Sequence, residues 1–512
     1  MASRAQVVVV NYGSQLTLVI GRILRELGVL SVILEPDQLS GYLKKIIPKA
    51  IILSGGNMSV YEVGAPHLPA ELIASLKEDE PPFAVLGICY GMQLLAYDLS
   101  GEVKAVLGSK EYGRSNIRVK GKPCGIFAGT PEDQSVWTSH GDSVVRLPDG
   151  FSSLATSETG AFAAMSKGKV IGVQFHPEVE QTLYGGIMLK NFLSLAGCKS
   201  DLTQTSLIDS IRCNIVTQLD GHKAIAGYSG GVDSSVLATI ATLELKDRFL
   251  AVTIDGGQLR EGELEVIRDH ANACGINLIV INAHQEFSEA MADVTDAEEK
   301  RHRFQGVYAA CLIRAAKAFG APFVLQGTLA PDQIESGTTG AASIKTHHNT
   351  GLDLGDLKQL HPIDFLFKYE VRELARQLGL PKSISQRQPS PGPGLFIRVV
   401  GTPATPDKLK IVRWADARVK EILVRHGIYD ELSQVVVDYI GVDTVGVKGD
   451  ARVYGGAIVV RAVLTNDFMT AHGVHFSDEV EDDISSQLTS HPKIVRVWYD
   501  PTDKPPATTE LE

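Results

Sequence analysis

The sequence predicts an α/β chain: two doubly wound α/β domains followed by a smaller α+β domain. Three observations carry that expectation. Short aliphatic runs alternate with helical periodicity through the first two hundred residues, the pattern of a parallel sheet covered on both faces. The alternation restarts after a polar, small-residue stretch, GCKSDLTQT at Gly197–Thr205. It ends at QPSPGPG, Gln388–Gly394, because such a stretch can be neither helix nor central strand. The expected domains are residues 1–198, 204–387 and 388–512.

Each element follows from its residues. Val7–Val10, Val32–Leu34, Ile51–Leu53 and Phe83–Leu86 are β-branched or aliphatic runs of the kind that fill buried strands. Leu16–Leu27 reads as the helix between the first two. Val170–Val173 is a late strand and Leu183–Leu195 a closing helix. In the second domain Leu207, Ile211, Ile215 and Leu219 recur every four residues, on one helix face. Strand Ala224–Tyr228 then runs into a glycine-rich turn and helix Ser234–Leu245. Strands Phe249–Ile254, Leu278–Ile281 and Phe323–Gln326, with a helix around Glu263–Cys274, continue the alternation. The last domain mixes strand-like Val435–Val437, Ala457–Leu464 and Ile494–Trp498 with helical Leu409–Val424 and Glu479–Leu488. The two α/β units share no motif, so duplication is not indicated.

Composition bounds the function. The chain has 512 residues, 44% hydrophobic and 21% charged, which excludes a disordered, collagen-like or coiled-coil protein. A formal net charge of −11 speaks against a broad nucleic-acid surface but leaves room for a basic pocket that takes a phosphorylated metabolite. The six cysteines are scattered without CxxC or metal-ligand spacing, as suits a reducing cytosol. The valine run near the N-terminus is too short for a signal sequence, and no stretch approaches the ~18 apolar residues of a membrane span. A cytoplasmic protein with neither nucleic-acid nor membrane partners is expected.

Two segments carry chemistry. In the first, strand Phe83–Leu86 leads into Gly87-Ile88-Cys89-Tyr90-Gly91 and a helix. Glycines two before and two after Cys89 allow a tight strand-to-helix turn that exposes a nucleophile at a helix N-terminus. The helix dipole lowers a thiol pKa there. Further on, GVQFHPE places His176 and Glu178 two residues apart after a strand, on one side of an extended chain. A histidine is the right base for a thiol, and a carboxylate beside it orients the ring. GICYGMQ with GVQFHPEV resembles the class I (triad) glutamine amidotransferases, and ILSGGN at Ile52–Asn57 resembles their oxyanion loop. The resemblance implies Cys89 as nucleophile, His176 as base and Glu178 as orienter, with backbone N–H groups of Gly56 and Tyr90 as oxyanion hole. Glutamine would form a thioester on Cys89 and release ammonia.

In the second segment, YSGGVDSS at Tyr228–Ser235 lies between a strand and a helix. Consecutive small residues expose backbone N–H groups to an anion at a helix N-terminus. The pattern is not GxxxxGK[ST], and Asp233 would repel phosphate unless a cation such as Mg²⁺ lay between them. SGGVDSS resembles the loop of the ATP pyrophosphatases, which cleave ATP between its α and β phosphates and adenylylate an oxygen that then leaves.

An ammonia-making unit fused to an adenylylating unit resembles the glutamine-hydrolysing GMP synthetase family over nearly the whole chain. Further matching segments are IDGGQLREGE, DAEEKR, GTLAPDQIES, IKTHHN, PGPGL, VGVKGDARVY, NDFMTA and the closing KPPATTELE. The resemblance implies synthesis of GMP from XMP, ATP and glutamine, with Mg²⁺ accompanying ATP and no tightly bound organic cofactor. Ser229, Gly230, Gly231, Asp233, Ser234 and Ser235 would hold the pyrophosphate of ATP, Asp233 through Mg²⁺. Arg301, Gly392, Gly394, Arg398, Gln434, Lys504 and Glu510 would contact XMP. Asp332 and Glu335 would belong to a lid over the nucleotide, with His347 and His348 as lid or XMP-site residues rather than metal ligands. A homodimer formed through the C-terminal domain is implied. Residues Gln386–Glu421 contain seven Arg or Lys (387, 398, 408, 410, 413, 418, 420) against three acids (407, 416, 421), which suits an anion site, although charge runs are usually solvated faces. Ala330, Phe396, Leu511, the segment after HHN and the Gly455–Gly456 pair depart from the family pattern. A related amidotransferase acting on another nucleotide, or a nucleotide-binding pseudoenzyme, are the alternative readings.

Overall fold

The structure is a computed structural model in which residues 5–78, 80–105, 111–335, 352–385, 387–389, 391–465 and 470–512 are described. The segment containing His347 and His348, and most of NDFMTA, lie outside the described residues. The described residues group into two compact units. The first takes in those of Met1–Asn214, Leu329–Thr346 and Ile363–Phe367, the second those of Ile215–Thr328, His347–Pro362 and Lys368–Glu512.

In the first unit a nine-stranded sheet is found among the described residues. Its parallel half runs, side by side, Ser31–Leu34, Val7–Tyr12, Ala50–Gly56, Ala84–Ile88 and Val170–Val173. Continuous aliphatic runs suit strands buried on both faces. Val7, Val9, Ile52 and Leu86 enter one core, while Val8, Val10, Ile51, Leu53 and Val85 enter the core on the other side. Helices Thr17–Glu26 and Gly185–Leu195 fall where the sequence predicts them. The antiparallel half, Phe162–Lys167, Ser152–Ser157, Glu111–Val119 and Asp133–His140, is not anticipated. Strand Glu111–Val119 reads EYGRSNIRV, polar with an internal glycine, so no β-branched run marks it.

In the second unit a parallel sheet has the order Leu278–Asn282, Phe249–Asp255, Ala224–Gly227, Phe323–Leu325, Lys358–Leu360. The chain winds outward on one side of Ala224–Gly227 and returns on the other. The C-terminal end of that strand is therefore a topological switch point, where such sheets bind ligands. Helix Gln204–Leu219, whose residues up to Asn214 count with the first unit, has its predicted apolar face buried at Leu207, Ile211, Ile215 and Leu219. Helix Ala297–Phe319 escapes a periodicity reading because its first turns are AEEKRHR. Its ends are nevertheless well marked. Asp296 caps it by accepting from Glu299 N–H at 2.9 Å, and Gly320 closes it at φ 74°.

The C-terminal part of the same unit is a hairpin, Gln434–Lys448 with Ala451–Leu464, joined by parallel strand Ile494–Tyr499 and packed on helices Pro406–Arg425 and Asp478–Thr489. Two departures from the family pattern have packing reasons. Phe396 is buried and its ring centroid lies 5.6 Å from Phe287 and 6.3 Å from Phe304. At Gly455 a Cβ would lie 2.8 Å from the Lys493 carbonyl, and at Gly456 one would lie 2.4 Å from the Tyr439 ring.

Candidate functional site

Parallel pairing of Ala84–Ile88 with Val170–Val173 places Ile88 opposite Val173, and Cys89 N–H donates to the Val173 carbonyl at 2.8 Å. The chain turns at once into helix Tyr90–Asp98, leaving Cys89 at φ 52°, ψ −105°. A non-glycine residue there costs on the order of 1–3 kcal/mol and is the geometry of a nucleophile elbow. The flanking glycines allow the tight turn through close backbone approach. A Cβ on Gly87 would lie 2.4 Å from the Gly91 carbonyl oxygen, and one on Gly91 would lie 2.3 Å from that of Leu53. They let helix and sheet touch backbone to backbone, while Cys89 itself takes the strain.

His176 leaves the neighbouring strand with its N–H donating to Trp137 at 2.8 Å, and the Thr182 hydroxyl donates to its carbonyl at 2.7 Å. Its Nδ1 lies 2.8 Å from Glu178 Oε1. Cys89, His176 and Glu178 are 4%, 4% and 1% exposed. Burial pulls the imidazole pKa down, but the Glu178 carboxylate and then the Cys89 sulfur outweigh it and hold His176 well above its ordinary value. With Nδ1 engaged by Glu178, Nε2 is the nitrogen left for the thiol. The sulfur also lies 3.7 Å from the Ser139 carbonyl and 3.9 Å from Gln174 Nε2. Gly56 ends its strand against Tyr90, where a Cβ would meet the ring at 3.0 Å. Tyr90 opens its helix, where backbone N–H groups lack intrahelical acceptors. Gly55 also has to be small, since a Cβ would come 3.2 Å from His176 Cε1.

The second loop sits at the switch point. Gly230 takes φ 68° and Gly231 caps helix Val232–Leu245. Ser229 and Ser234 hydroxyls are 3.1 Å apart, and Gly231 N–H donates to Ser229 Oγ at 3.3 Å. Ser235 is fully buried, its hydroxyl donating to Tyr228 Oη at 3.2 Å, so that hydroxyl braces the loop from inside. Asp233 Oδ2 accepts from Lys368 Nζ at 2.5 Å, whereas Oδ1 is buried without a hydrogen-bond partner. An orphaned carboxylate oxygen beside an anion-type loop fits Mg²⁺, which commonly takes one or two carboxylates and completes its shell with phosphate and water.

The candidate XMP residues converge on the chain's closing segment. Arg398, 1% exposed, meets Glu510 through Nε and Nη2, each at 3.2 Å, and Asp416 through Nη1 at 3.2 Å. Burial would depress this guanidinium, but Glu510, Asp416 and Asp438 overcome it and raise its pKa. Gln434 Nε2 donates to Glu510 Oε1 at 2.8 Å. Arg301 donates to Glu298 at 2.8 Å and to the Glu512 carbonyl at 2.5 Å. Lys504 pairs with Ala471 through its backbone. Gly394 takes φ 56° where a Cβ would lie 2.5 Å from the Gln258 carbonyl, and Gly392 lies in the turn just before it. Part of the basic tally is structural, since Arg413 donates to the carbonyls of Leu259 and Gly257 at 2.8 and 2.5 Å.

Sequence reading misses two lysines that lie at these candidate sites. Lys368 sits in LFKYE with no motif around it. Lys300 is hidden beside Arg301, fully buried, donating to Glu512 Oε2 at 2.6 Å and to the Val399 carbonyl at 2.5 Å. A lysine next to a motif arginine, with an acidic residue closing the sequence, was the available signal.

Three family descriptions match in tandem. Residues 8–196, which hold the cysteine elbow, match "Glutamine amidotransferase class-I". Residues 204–396, with the glycine-rich loop, match "NAD synthase", and residues 421–511, with Gln434, Lys504 and Glu510, match "GMP synthase C terminal domain". Full-length similarity extends to the "GMP synthase [glutamine-hydrolyzing]" of Thermomicrobium roseum, 41% identical over 99% of this chain and 96% of the relative. The protein of that name from Lacticaseibacillus rhamnosus is 40% identical over 99% and 98%. That from Thermus thermophilus is 42% identical over 99% and 100%. A thiol elbow and a phosphate-type loop, each inside the stretch that matches the corresponding domain, accompany that likeness from end to end: the chain belongs to the glutamine-hydrolysing GMP synthases.

Proposed function

We propose the following division of labour for the synthesis of GMP from XMP, ATP and glutamine. Cys89 thiolate attacks the side-chain amide carbon of glutamine. The oxyanion is held by the backbone N–H groups of Gly56 and Tyr90. His176, kept protonated by Glu178, gives its proton to the departing nitrogen, so ammonia leaves and a thioester remains for water to hydrolyse to glutamate. At the second site the C2 carbonyl oxygen of XMP attacks the α-phosphorus of ATP and pyrophosphate leaves. Ammonia then adds at C2 and expels AMP.

Ser229, Gly230, Gly231, Asp233, Ser234 and Ser235 make up the pyrophosphate loop. Mg²⁺, when bound by Asp233 with the nucleotide, neutralises phosphate charge. Lys368 presents an ammonium to the same region. Arg301, Gly392, Gly394, Arg398, Gln434, Lys504 and Glu510 bind and orient XMP, with Lys300 and Glu512 fixing the closing segment. Residues 1–198, 204–387 and 388–512 are the functional divisions. A homodimer through the last of these is supported by Val442, Val445, Val447 and Tyr454, all exposed on the long hairpin. A cytoplasmic site of action is supported by the scattered cysteines.

The observation that carries the first half is the buried His176–Glu178 pair at 2.8 Å beside a cysteine in an elbow. The experiment that tests the whole is AMP release from ATP and Mg²⁺ with ammonium supplied, across XMP, IMP and UMP. One AMP per GMP with XMP alone is expected. Turnover of another nucleotide in preference would assign a different acceptor, and no AMP with any of them would mark a pseudoenzyme.

A further inference from the structure

A continuous chain of ion pairs and hydrogen bonds joins the pyrophosphate loop to the candidate XMP site. Arg387 Nη1 donates to the Ser229 carbonyl at 3.0 Å, inside the loop. A Cβ on Gly230 would come 3.1 Å from the same nitrogen, so the guanidinium lies flush against the turn. Its Nη2 pairs with Glu263 Oε1. The other oxygen of Glu263 accepts the Arg260 backbone N–H at 2.7 Å. The Arg260 side chain faces Asp416 Oδ2 at 3.6 Å, and Asp416 Oδ1 meets Arg398 at 3.2 Å. Arg398 holds Glu510. Arg398, Asp416, Glu263 and Glu510 are 1%, 7%, 10% and 16% exposed at their side chains, and Arg260 and Arg387 are 18% and 21% exposed, so the links are partly shielded from water and least screened at the Arg398 end.

We propose that this chain couples the two nucleotide subsites, with Arg387 and Glu263 as positioning residues that set the pyrophosphate loop according to whether XMP is seated. The proposal rests on the assignment of Arg398 and Glu510 to XMP. An acceptor nucleotide that draws Glu510 or Arg398 into its own hydrogen bonds changes how firmly Asp416 is held. Asp416 then changes its grip on Arg260, and the Arg260 backbone moves Glu263. Arg387 follows, because its partner has moved, and the Ser229 carbonyl follows Arg387. Ion pairs make up four of the links, and backbone hydrogen bonds at Arg260 N–H and the Ser229 carbonyl make up the other two, so a displacement passes along by attraction and not by steric pushing. The consequence is energetic: each nucleotide alters the affinity for the other by the same factor. ATP would thus be gripped for cleavage when an oxygen that can receive its adenylyl group is present, which limits loss of ATP to water.

The test uses the full chain with Mg²⁺ and an ATP analogue carrying a methylene bridge between the α and β phosphates, so that nothing turns over. Dissociation constants are measured by calorimetry for the analogue alone, for XMP alone, and for each in the presence of saturating amounts of the other. For the wild type, XMP should tighten the analogue by about five-fold or more, a usual range for coupled sites, and the reverse measurement should give the same factor. Asp416→Asn, which breaks the middle of the chain, and Glu263→Gln, near the loop, should each bring the factor to within about two-fold of unity. A wild-type-like thermal melting transition reports that each variant is folded. A lesser structural defect would weaken single-ligand affinities and leave the factor intact, and that result would overturn the coupling. A wild-type factor of one would overturn it as well. A wild type that binds the analogue but no XMP overturns the acceptor assignment itself, a distinct result.

Discussion

Glu178 has no contact with substrate to make, yet its carboxylate sits 2.8 Å from His176 Nδ1 in a site almost without solvent. Removing that charge while keeping the shape lets burial win over the remaining attraction from the sulfur, so the His176 pKa falls. Glu178→Gln should therefore lower glutaminase kcat by roughly a hundred-fold or more, as wrong orientation and charge at a triad base do. Alkylation of Cys89 below neutral pH should slow with it, because fewer molecules carry a protonated His176 beside the sulfur. Equal alkylation profiles for variant and wild type would refute this.

A second single-residue expectation concerns stability. Asp438 is 1% exposed and neither carboxylate oxygen has a hydrogen-bond partner. Burial raises its pKa far above normal, against the pull of Arg398 and with help from Glu510, Glu512 and Asp416. The folded chain binds a proton here that the unfolded chain releases near pH 3.9. Its contribution is thus present below that value and is lost as pH rises toward the folded pKa. Asp438→Asn should raise Tm relative to wild type, by a margin that widens from pH 5 to pH 8. A constant or shrinking margin in paired melts would count against it.

Among the elements, the segment Asp500–Glu512 has little regular secondary structure and is held by buried side chains. Arg461, fully buried, donates to Asp500 at 3.0 Å, to the Thr502 carbonyl at 2.7 Å and to that of Thr509 at 3.2 Å. Lys300 and the Gly401 N–H, the latter at 2.6 Å, hold the Glu512 carboxylate. Deleting Lys504–Glu512 removes Glu510 from Arg398 and strips Lys300 of its anion. XMP affinity should fall by at least ten-fold and ammonium-dependent AMP release should nearly vanish, while labelling of Cys89 survives. Wild-type GMP synthesis by the truncated chain would exclude the assignment.

The central parallel strands were legible because their residues must be apolar on both faces, whereas the edge strand Lys358–Leu360, exposed at Lys358, was not. Val7–Val10 and Ala224–Ala226 admit no other reading at that length. The antiparallel strands of residues 111–167 were not, since a sheet wetted on one side tolerates Arg114, Asn116 and Arg118. Both chemical loops were legible, because close backbone approach leaves a trace of glycines. The charged partners were harder. Lys368 and Asp233 are 135 residues apart, and nothing local in LFKYE foretells that Asp233 lies at its end.

For the whole molecule the sequence likeness and the two loops describe an enzyme that makes its nitrogen donor at one place and spends ATP at another. Cys89→Ala should abolish GMP formation from glutamine and leave formation from added ammonium within about two-fold of wild type. Product from each donor, measured side by side, decides the matter. Loss of both activities in a folded variant would mean that the elbow is needed for the adenylylating half too.

The 2.5 Å pairing of Lys368 with Asp233 has a consequence for the resting enzyme. On the proposed role of Asp233 as the Mg²⁺ ligand, the ammonium would act as a tethered counterion that keeps a lone carboxylate from gathering stray divalent cations between turnovers. Lys368→Met should then behave paradoxically. Free of its internal competitor, Asp233 should take up Mn²⁺ in the absence of nucleotide several-fold more tightly, read by titration calorimetry, even as AMP production falls. A variant that loses turnover without gaining cation affinity would leave the lysine as a substrate contact alone.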